Sequence, residues 1–199
     1  LDAMARSVSA KDNQLKLLQK VIPIGVSLSA EKDFNRLLES LVEEAQSVTN
    51  ADAGTLYLVE DDALKFVILK NTSLKMAMGG TSGNEITFYP VKLHHTDGSE
   101  NRSNVVSYSA LTGKKVNIAD AYKTEGFDFS GTKAFDEKTK YHSKSFLTIP
   151  LQNKDGKLIG VLQLINALDK TTGEIIAFED NDVLEALILL ATAALDGYI

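Results

Sequence analysis

Three histidines and twenty-seven carboxylates are the raw material for acid–base or metal chemistry in this chain of 199 residues. Their spacing brings few of them together. His94, His95 and Asp97 form the closest mixed group, but a metal centre needs its ligands aimed at one ion. These three lie in a polar stretch with neither helical nor strand register, and the third histidine, His142, is far along the chain. The acidic pairs at Asp61-Asp62 and from Glu179 to Asp182 have the composition of general acid–base partners. The first, however, fits a hairpin turn and the second a helix N-terminus, and each role is sufficient on its own. No serine sits in a GxSxG elbow, and no GxxxxGK[ST] or GxGxxG loop is present to cradle a phosphate. The absence of cysteine excludes disulfides, thiolate catalysis, iron–sulfur clusters, cysteine-based zinc sites and a thioether-linked chromophore. The segment therefore reads as non-enzymatic, with no catalytic residue, metal site or cofactor to name.

One polar group stands out. Gln163 lies in the middle of the apolar run Leu158, Ile159, Val161, Leu162, Leu164 and Ile165, and an amide buried there needs a partner. That partner is either a neighbouring loop backbone or a ligand. Just before this run, hydroxyls and aromatics cluster from Phe127 to Ser145, Phe129 among them. A short, polar, aromatic lid over a sheet has the composition of a small-molecule site.

The elements that must position these groups are organised around the stretch from Ser143 to Ala167, a hairpin turning at Asn153, Lys154, Asp155 and Gly156. Its arms carry apolar residues at both strand parities, which predicts cover on both faces. Upstream, Leu15, Leu18, Ile22 and Val26 give a narrow amphipathic stripe from about 9 to 26, which Pro23 is expected to kink or end. Ser29 then offers an N-cap, with Glu31 and Asp33 in the first turn. It opens a core helix carrying Phe34, Leu37, Leu38, Leu41, Val42 and Ala45. A second hairpin is predicted from 54 to 60 and 64 to 70, with Leu56 and Leu58 on one side and Leu64, Phe66 and Ile68 alternating likewise. Residues 71 to 103 read as a long insertion loop holding a strand-like piece at 86 to 93. Next come a helix from 104 to 111 closed by Gly113, a strand from 116 to 119 and about two helical turns from Lys133. Asn166 to Gly173 is a turn. The last helix, 180 to 198, is apolar nearly all round through Leu184, Leu187, Ile188, Leu190, Ala191 and Leu195. Helices segregated around an antiparallel sheet make an α+β fold. So wide an apolar surface, together with the stripe on the first helix, predicts a parallel homodimer through the terminal helices.

A hydrophobic content of 44% supports one domain with helical extensions. A formal charge of −6 argues against nucleic acid as a partner. The longest apolar run is well short of the roughly 20 residues that span a bilayer, so no membrane insertion is expected in this segment and the expected compartment is cytoplasmic. Leu1 in place of a start methionine leads to the expectation of a piece cut from a longer protein.

The element order, with LTGKKVNIADAY, AFDEKTKYHSKSFLTIPL and KDGKLIGVLQLIN, resembles a GAF domain from about Leu28 to Leu195. The resemblance is to the GAF domains of cyclic nucleotide phosphodiesterases and cyclases, and to those ahead of bacterial HD-GYP type phosphohydrolase domains. It implies an antiparallel sheet of about six strands, the terminal helices on one face and a lidded pocket on the other. Residues 1–27 would be a connecting or dimerisation helix and 28–199 the domain itself. It implies ligand-binding positions at Thr55, Asn71, Val105, Val106, Phe129, Thr139, Ser143 and Gln163. The implied function is regulatory sensing of a small molecule, of which cyclic nucleotides are one class, ahead of a phosphodiesterase, phosphohydrolase or cyclase output. The alternative is a ligand-free dimerisation and relay module. Catalysis as in GAF-like methionine sulfoxide reductases is impossible without cysteine. The cyclic-nucleotide subset also carries an Asn-Lys pair, a Phe and an Asp-Glu pair, whose Lys and Asp hold the lid region. Asn166, Phe178 and Asp182 match, but Ala167 and Val183 replace the Lys and Glu, leaving Lys170 as the nearby lysine for that ion pair.

Overall fold

Both arms of the apolar hairpin form, from 146 to 152 and from 158 to 168, at the centre of one antiparallel sheet. The computed structural model describes residues 2–199. Its elements are α1 (Asp2–Ala30), α2 (Phe34–Thr49), β1 (Ala51–Glu60), β2 (Ala63–Asn71), β3 (Met76–Gly79), β4 (Val91–Lys92), α3 (Val105–Thr112), β5 (Val116–Ile118), α4 (Ser130–Thr139), β6 (Phe146–Gln152), β7 (Leu158–Leu168), β8 (Ile175–Ile176) and α5 (Asp182–Asp196). The strand order is β3-β2-β1-β7-β6-β5, with β4 on β2 and β8 on β7. This is the expected α+β architecture, and the two short extra pairings complete the sheet.

Alternation sorts the strand residues onto two faces. Leu56, Leu147, Ile149, Leu162 and Leu164 join Leu37, Leu41 and Val42 of α2 and Leu184, Leu187 and Leu195 of α5 in the main core. The opposite face carries two smaller clusters. Val106 packs with Tyr57, Leu64 and Val161, while Val105 packs with Phe129, Phe146 and Ile118. Gly160 is required at the join of β1 and β7, since a Cβ there would lie 2.1 Å from the carbonyl oxygen of Tyr57. In the second hairpin the register shifts between Leu56 and Tyr57, so that Leu56 faces Ile68 and Tyr57 faces Phe66 with Val67 left over. That bulge corrects the simple alternation: Leu64 and Phe66 look toward the second face, and Ile68 turns into the main core.

The stretch from 71 to 103 is less loop-like than its composition suggests, because β3 and β4 both add to β2. At the N-terminus, α1 continues past Pro23, which therefore does not end it. Pro23 and Gln19, whose carbonyl loses its donor, are both exposed, so that carbonyl is open to solvent. Ser29 remains inside α1, and the cap of α2 is Asp33, whose carboxylate accepts from the N–H groups of Asn35 and Arg36 at 2.9 and 3.4 Å. Similarly α4 begins at Ser130, three residues before Lys133.

Helix α1 packs on α5 through Gly25, where a Cβ would lie 2.8 Å from Leu190 Cδ1. Farther along, the Tyr198 hydroxyl donates to the Glu31 carbonyl at 2.5 Å, so the two helices run the same way. The face of α1 that carries Val21, Gly25 and Leu28 is buried, whereas Leu15, Leu18, Ile22 and Val26 are 53 to 63% exposed. On α5 most of the wide apolar surface is already covered by the chain itself: Leu184, Leu187, Ile188, Ala191 and Leu195 are buried and Leu190 lies against Gly25, which leaves Leu189 facing out. Among the described residues no helix is long and apolar enough to cross a membrane.

Candidate ligand-binding site

On the face of the sheet away from the main core, a cavity of about 250 Å³ opens between β1, β2 and β7, the start of α3, and α4. Its floor comes from strand alternation. Thr55 and Gln163 stand opposite each other in the β1–β7 register, and Thr148 stands opposite Gln163 on β6. Gln163 is 9% exposed, and its Nε2 donates to the Thr148 hydroxyl at 3.0 Å. The partner sought in the sequence is therefore a cross-strand threonine. The amide oxygen of Gln163 and the hydroxyl of Thr55, a residue 6% exposed, take no hydrogen bond from the described residues. No described side-chain polar atom is both fully buried and unpaired, so both groups are open to the cavity.

The walls are aromatic. Phe88 packs on Phe66 at 5.5 Å between ring centroids and Phe66 on Tyr57 at 4.5 Å, forming a stack that runs inward from the mouth. Phe129, leaning on Phe146 at 5.6 Å, closes the opposite side. Burial pushes the phenol of Tyr57 well above the ordinary tyrosine range.

The lid is pinned by two carboxylates. Asp136 of α4 accepts from the Tyr122 hydroxyl at 2.6 Å, the Ser143 N–H at 2.9 Å and the Ser143 hydroxyl at 2.7 Å. The first of these bonds, with help from burial, raises the Tyr122 phenol to about 12. Asp52, at the start of β1, accepts from the Tyr141 hydroxyl at 2.6 Å, and Tyr141 is held neutral by burial first and by this bond second. Asn166, in the left-handed region with φ 60°, accepts from the N–H groups of Lys144 and Ser145 and donates to the His142 carbonyl. It thereby fixes the strand-ward end of the lid.

Of the eight expected site residues, Thr55, Asn71, Val105, Val106, Phe129, Ser143 and Gln163 meet at this cavity. Thr139 does not. Its hydroxyl donates to the Phe135 carbonyl at 2.7 Å, and it ends α4 rather than lining the cavity. Three of the seven have side-chain partners already: Gln163 through its Nε2 on Thr148, Asn71, whose Oδ1 accepts from the Leu74 N–H, and Ser143, which serves Asp136. Tyr141, Asp52 and Asp136 escaped sequence reasoning. Their partners lie up to 89 residues away, and Asp136 is the one buried residue of α4, so no local pattern marks it. No ion pair joins Lys170 or Asp182 to another described residue. Phe178 is buried in the main core, and the carboxamide of Asn117 donates to its carbonyl at 2.8 Å.

Charge at the cavity is sparse. Lys70 contributes to the lining, but its ammonium is bonded to Glu43 of α2. Asp128 stands at the mouth; its N–H donates to the Ser103 carbonyl, beside the start of α3, and its carboxylate accepts from the Ser130 N–H at 2.9 Å. Hydrogen bonds from Ser130, with Lys133 nearby, hold that carboxyl below its usual range and keep it ionised. At the N-terminus of α3, the Val106 N–H is already taken by the Asn104 side chain at 2.9 Å. Away from the cavity, His94 faces Asp62 at 2.9 Å and Asp97 accepts from Ser99. No three described His, Asp or Glu side chains converge on a metal position.

Comparison with known proteins gives concordant results. The family model described as the GAF domain matches residues 33–195. A dual 3',5'-cyclic-AMP and -GMP phosphodiesterase 11A of Takifugu rubripes is 40% identical over 81 residues, covering 41% of this chain and 8% of the relative. A cGMP-specific 3',5'-cyclic phosphodiesterase of Drosophila melanogaster is 29% identical over 160 residues, covering 77% of this chain and 13% of the relative. The chain thus spans about a tenth of the length of these relatives. Among solved structures, the GAF domain of an Acinetobacter phosphoenolpyruvate-protein phosphotransferase superposes with a TM-score of 0.63 at 16% identity, covering 92% of this chain and 94% of that one. The cyanobacteriochrome TePixJ GAF domain gives 0.57 at 16% identity, covering 85% and 93%.

Proposed function

This chain belongs to the GAF domain family, and we propose that its lidded cavity binds a small planar molecule, making the segment a regulatory sensor within a larger cytoplasmic signalling protein. One observation carries this reading. The Thr55 hydroxyl and the Gln163 amide oxygen stand in register on the floor of an aromatic cavity, both open to it and without a hydrogen-bond partner among the described residues, so a ligand can take both. Because the curated relatives are named for cyclic nucleotides, cAMP, cGMP and cyclic di-GMP head the panel of ligands to test. The output under control would be a phosphodiesterase, phosphohydrolase or cyclase, with no chemistry in this segment. The test is a thermal-shift screen of the purified domain against these nucleotides and a metabolite library. A true ligand at 100 times its Kd adds about 2.7 kcal/mol of stability, and a screen with no shift rejects the sensor reading.

A second reading is a ligand-free dimerisation and relay module. It is supported by the exposed stripe of Leu15, Leu18, Ile22 and Val26 on α1, which spaces its apolar residues as a two-helix seam does, and by exposed Leu189 on α5. Under either reading the expected assembly is a parallel homodimer through these helices. Sedimentation at micromolar concentration tests it: the parent should be a dimer and Leu18→Asp with Leu189→Asp a folded monomer. A monomeric parent refutes the assembly.

A further inference from the structure

Resting on the reading of the cavity as a ligand site, we infer that the small molecule enters and leaves beneath residues 85 to 90. These form a strap that swings about Asn84 and Val91 and is latched by Phe88, while the α4 lid stays shut. The strap alternates like a strand without pairing as one. Ile86 lies over Gly79 and Phe88 packs on Phe66 at 5.5 Å, whereas Thr87 and Tyr89 are exposed. Among the described residues no backbone hydrogen bond holds 85 to 90, and Pro90 has no N–H to offer. The two ends, by contrast, are tied down. The Asn84 carbonyl accepts from the Gly79 N–H at 2.8 Å, and the Asn84 Nδ2 donates to the Ala77 carbonyl at 2.9 Å. At the other end Val91 pairs with Leu64, and the Leu93 N–H donates to the Asp62 carbonyl at 3.0 Å.

The opposite side of the cavity is built the other way. Asp136 takes three hydrogen bonds from Tyr122 and Ser143, Tyr141 is tied to Asp52, and Asn166 grips the backbone from His142 to Ser145. The Asp128 N–H, just before α4, is bonded to the Ser103 carbonyl. Lifting α4 means breaking several of these bonds together and exposing buried polar groups. Lifting the strap gives up only the apolar contacts of Ile86 and Phe88, and Phe88 is already 42% exposed. Local opening follows the segment with the fewest buried contacts and hydrogen bonds, and hinges form where such a segment meets fixed elements. Phe88 and Val91 both line the cavity, so the gap left by a raised strap leads into it.

The chain holds no cysteine, so Thr55→Cys places a single thiol on the cavity floor, at a residue whose hydroxyl has no partner to strand. Its rate of modification is followed on the whole chain with a small neutral reagent, methyl methanethiosulfonate, and a bulkier aromatic one, dithiodipyridine. Circular dichroism checks that each variant is folded. The thiol should react roughly tenfold or more slowly than in urea. Adding Phe88→Ala should speed both reagents by the same factor, about tenfold or more, because both wait on the same opening. A static gap left by the lost ring would favour the small reagent alone. Tyr141→Phe, which cuts the tie of the lid to Asp52, should change either rate less than about twofold. The inference is overturned if Thr55→Cys reacts as fast folded as unfolded, or if Phe88→Ala leaves the rates unchanged or quickens only the small reagent. It is overturned equally if Tyr141→Phe opens the cavity more than Phe88→Ala does. Ala53→Cys, on the same lining, takes the place of Thr55→Cys if that variant does not fold. No ligand enters this experiment, so it and the thermal-shift screen fail separately: a working strap over a cavity that binds nothing rejects the sensor reading, and a ligand hit with no strap effect rejects the strap alone.

Discussion

Removing the carboxylate of Asp136 should loosen the lid and cost the fold about 3 kcal/mol, the sum of three losses of unequal size. The largest is the Ser143 N–H, on a residue 2% exposed, where an unpaired buried donor costs about 1–3 kcal/mol. The Ser143 hydroxyl, bonded at 2.7 Å, adds about 1 kcal/mol. The Tyr122 hydroxyl belongs to a residue 40% exposed and turns to water when released, so it contributes less than ~1 kcal/mol. Asp136→Ala suffers all three losses. Asp136→Asn keeps one oxygen for the Ser143 N–H and offers an amide that the Ser143 hydroxyl can accept, so it should cost less than half as much. Urea unfolding followed by circular dichroism measures both variants, and hydrogen exchange across 130 to 143 should quicken in the alanine variant before global unfolding. A loss under about 1 kcal/mol for Asp136→Ala, or an asparagine variant as unstable as the alanine one, would refute the account of Asp136 as the pin of the lid.

Gly160→Ala should prevent stable folding, because its methyl would fall 2.1 Å from the Tyr57 carbonyl oxygen and force β7 away from β1; a soluble variant melting with the parent contradicts that packing. Gln163→Leu should remain folded at a cost of about 1–2 kcal/mol, since it strands the fully buried Thr148 hydroxyl, and should lose response to any ligand found in the screen. Unchanged binding by that variant would make the amide purely structural. In alkali, the raised pKa of Tyr122 means that the folded chain favours the neutral phenol. Its contribution is present below the unfolded tyrosine pKa of about 10 and fades as pH rises through about 12. The stability difference between the parent and Tyr122→Phe should therefore shrink above pH ~10, and a difference independent of pH would deny the bond to Asp136.

Local patterns in the sequence reached most of the fold. The spacing of Leu37, Leu38, Leu41, Val42 and Ala45 defines α2, and apolar residues at both parities mark β6 and β7 as central strands. The errors arose where a local rule was overridden by surroundings the sequence does not print. Pro23 costs α1 one hydrogen bond and crowds the Gln19 carbonyl, but both residues are exposed, and the helix continues on the far side. The bulge at Val67 adds one residue to a strand without any glycine to announce it, and so reverses Ile68. Seven of the eight site positions gather at one cavity because strand alternation carries Thr55 and Gln163 to the same face. Thr139, at the end of a helix, had no such periodicity to place it. The pairs Asp52–Tyr141 and Asp136–Tyr122 are ordinary residues until folding brings them together.

The uneven cover of α1 gives the chain a built-in gauge of its own association. Residues 3 to 16 of that helix are exposed, and packing against α5 begins only with the turns around Val21 and Gly25. A helical stretch of that length is marginal in water without a neighbour, so in a lone chain its first half should fray and exchange its amide hydrogens within moments. Against a second copy the same turns would gain a seam and protection. The amides between Met4 and Leu18 thus report whether two chains have met, independently of anything that happens in the cavity on the other side of the sheet.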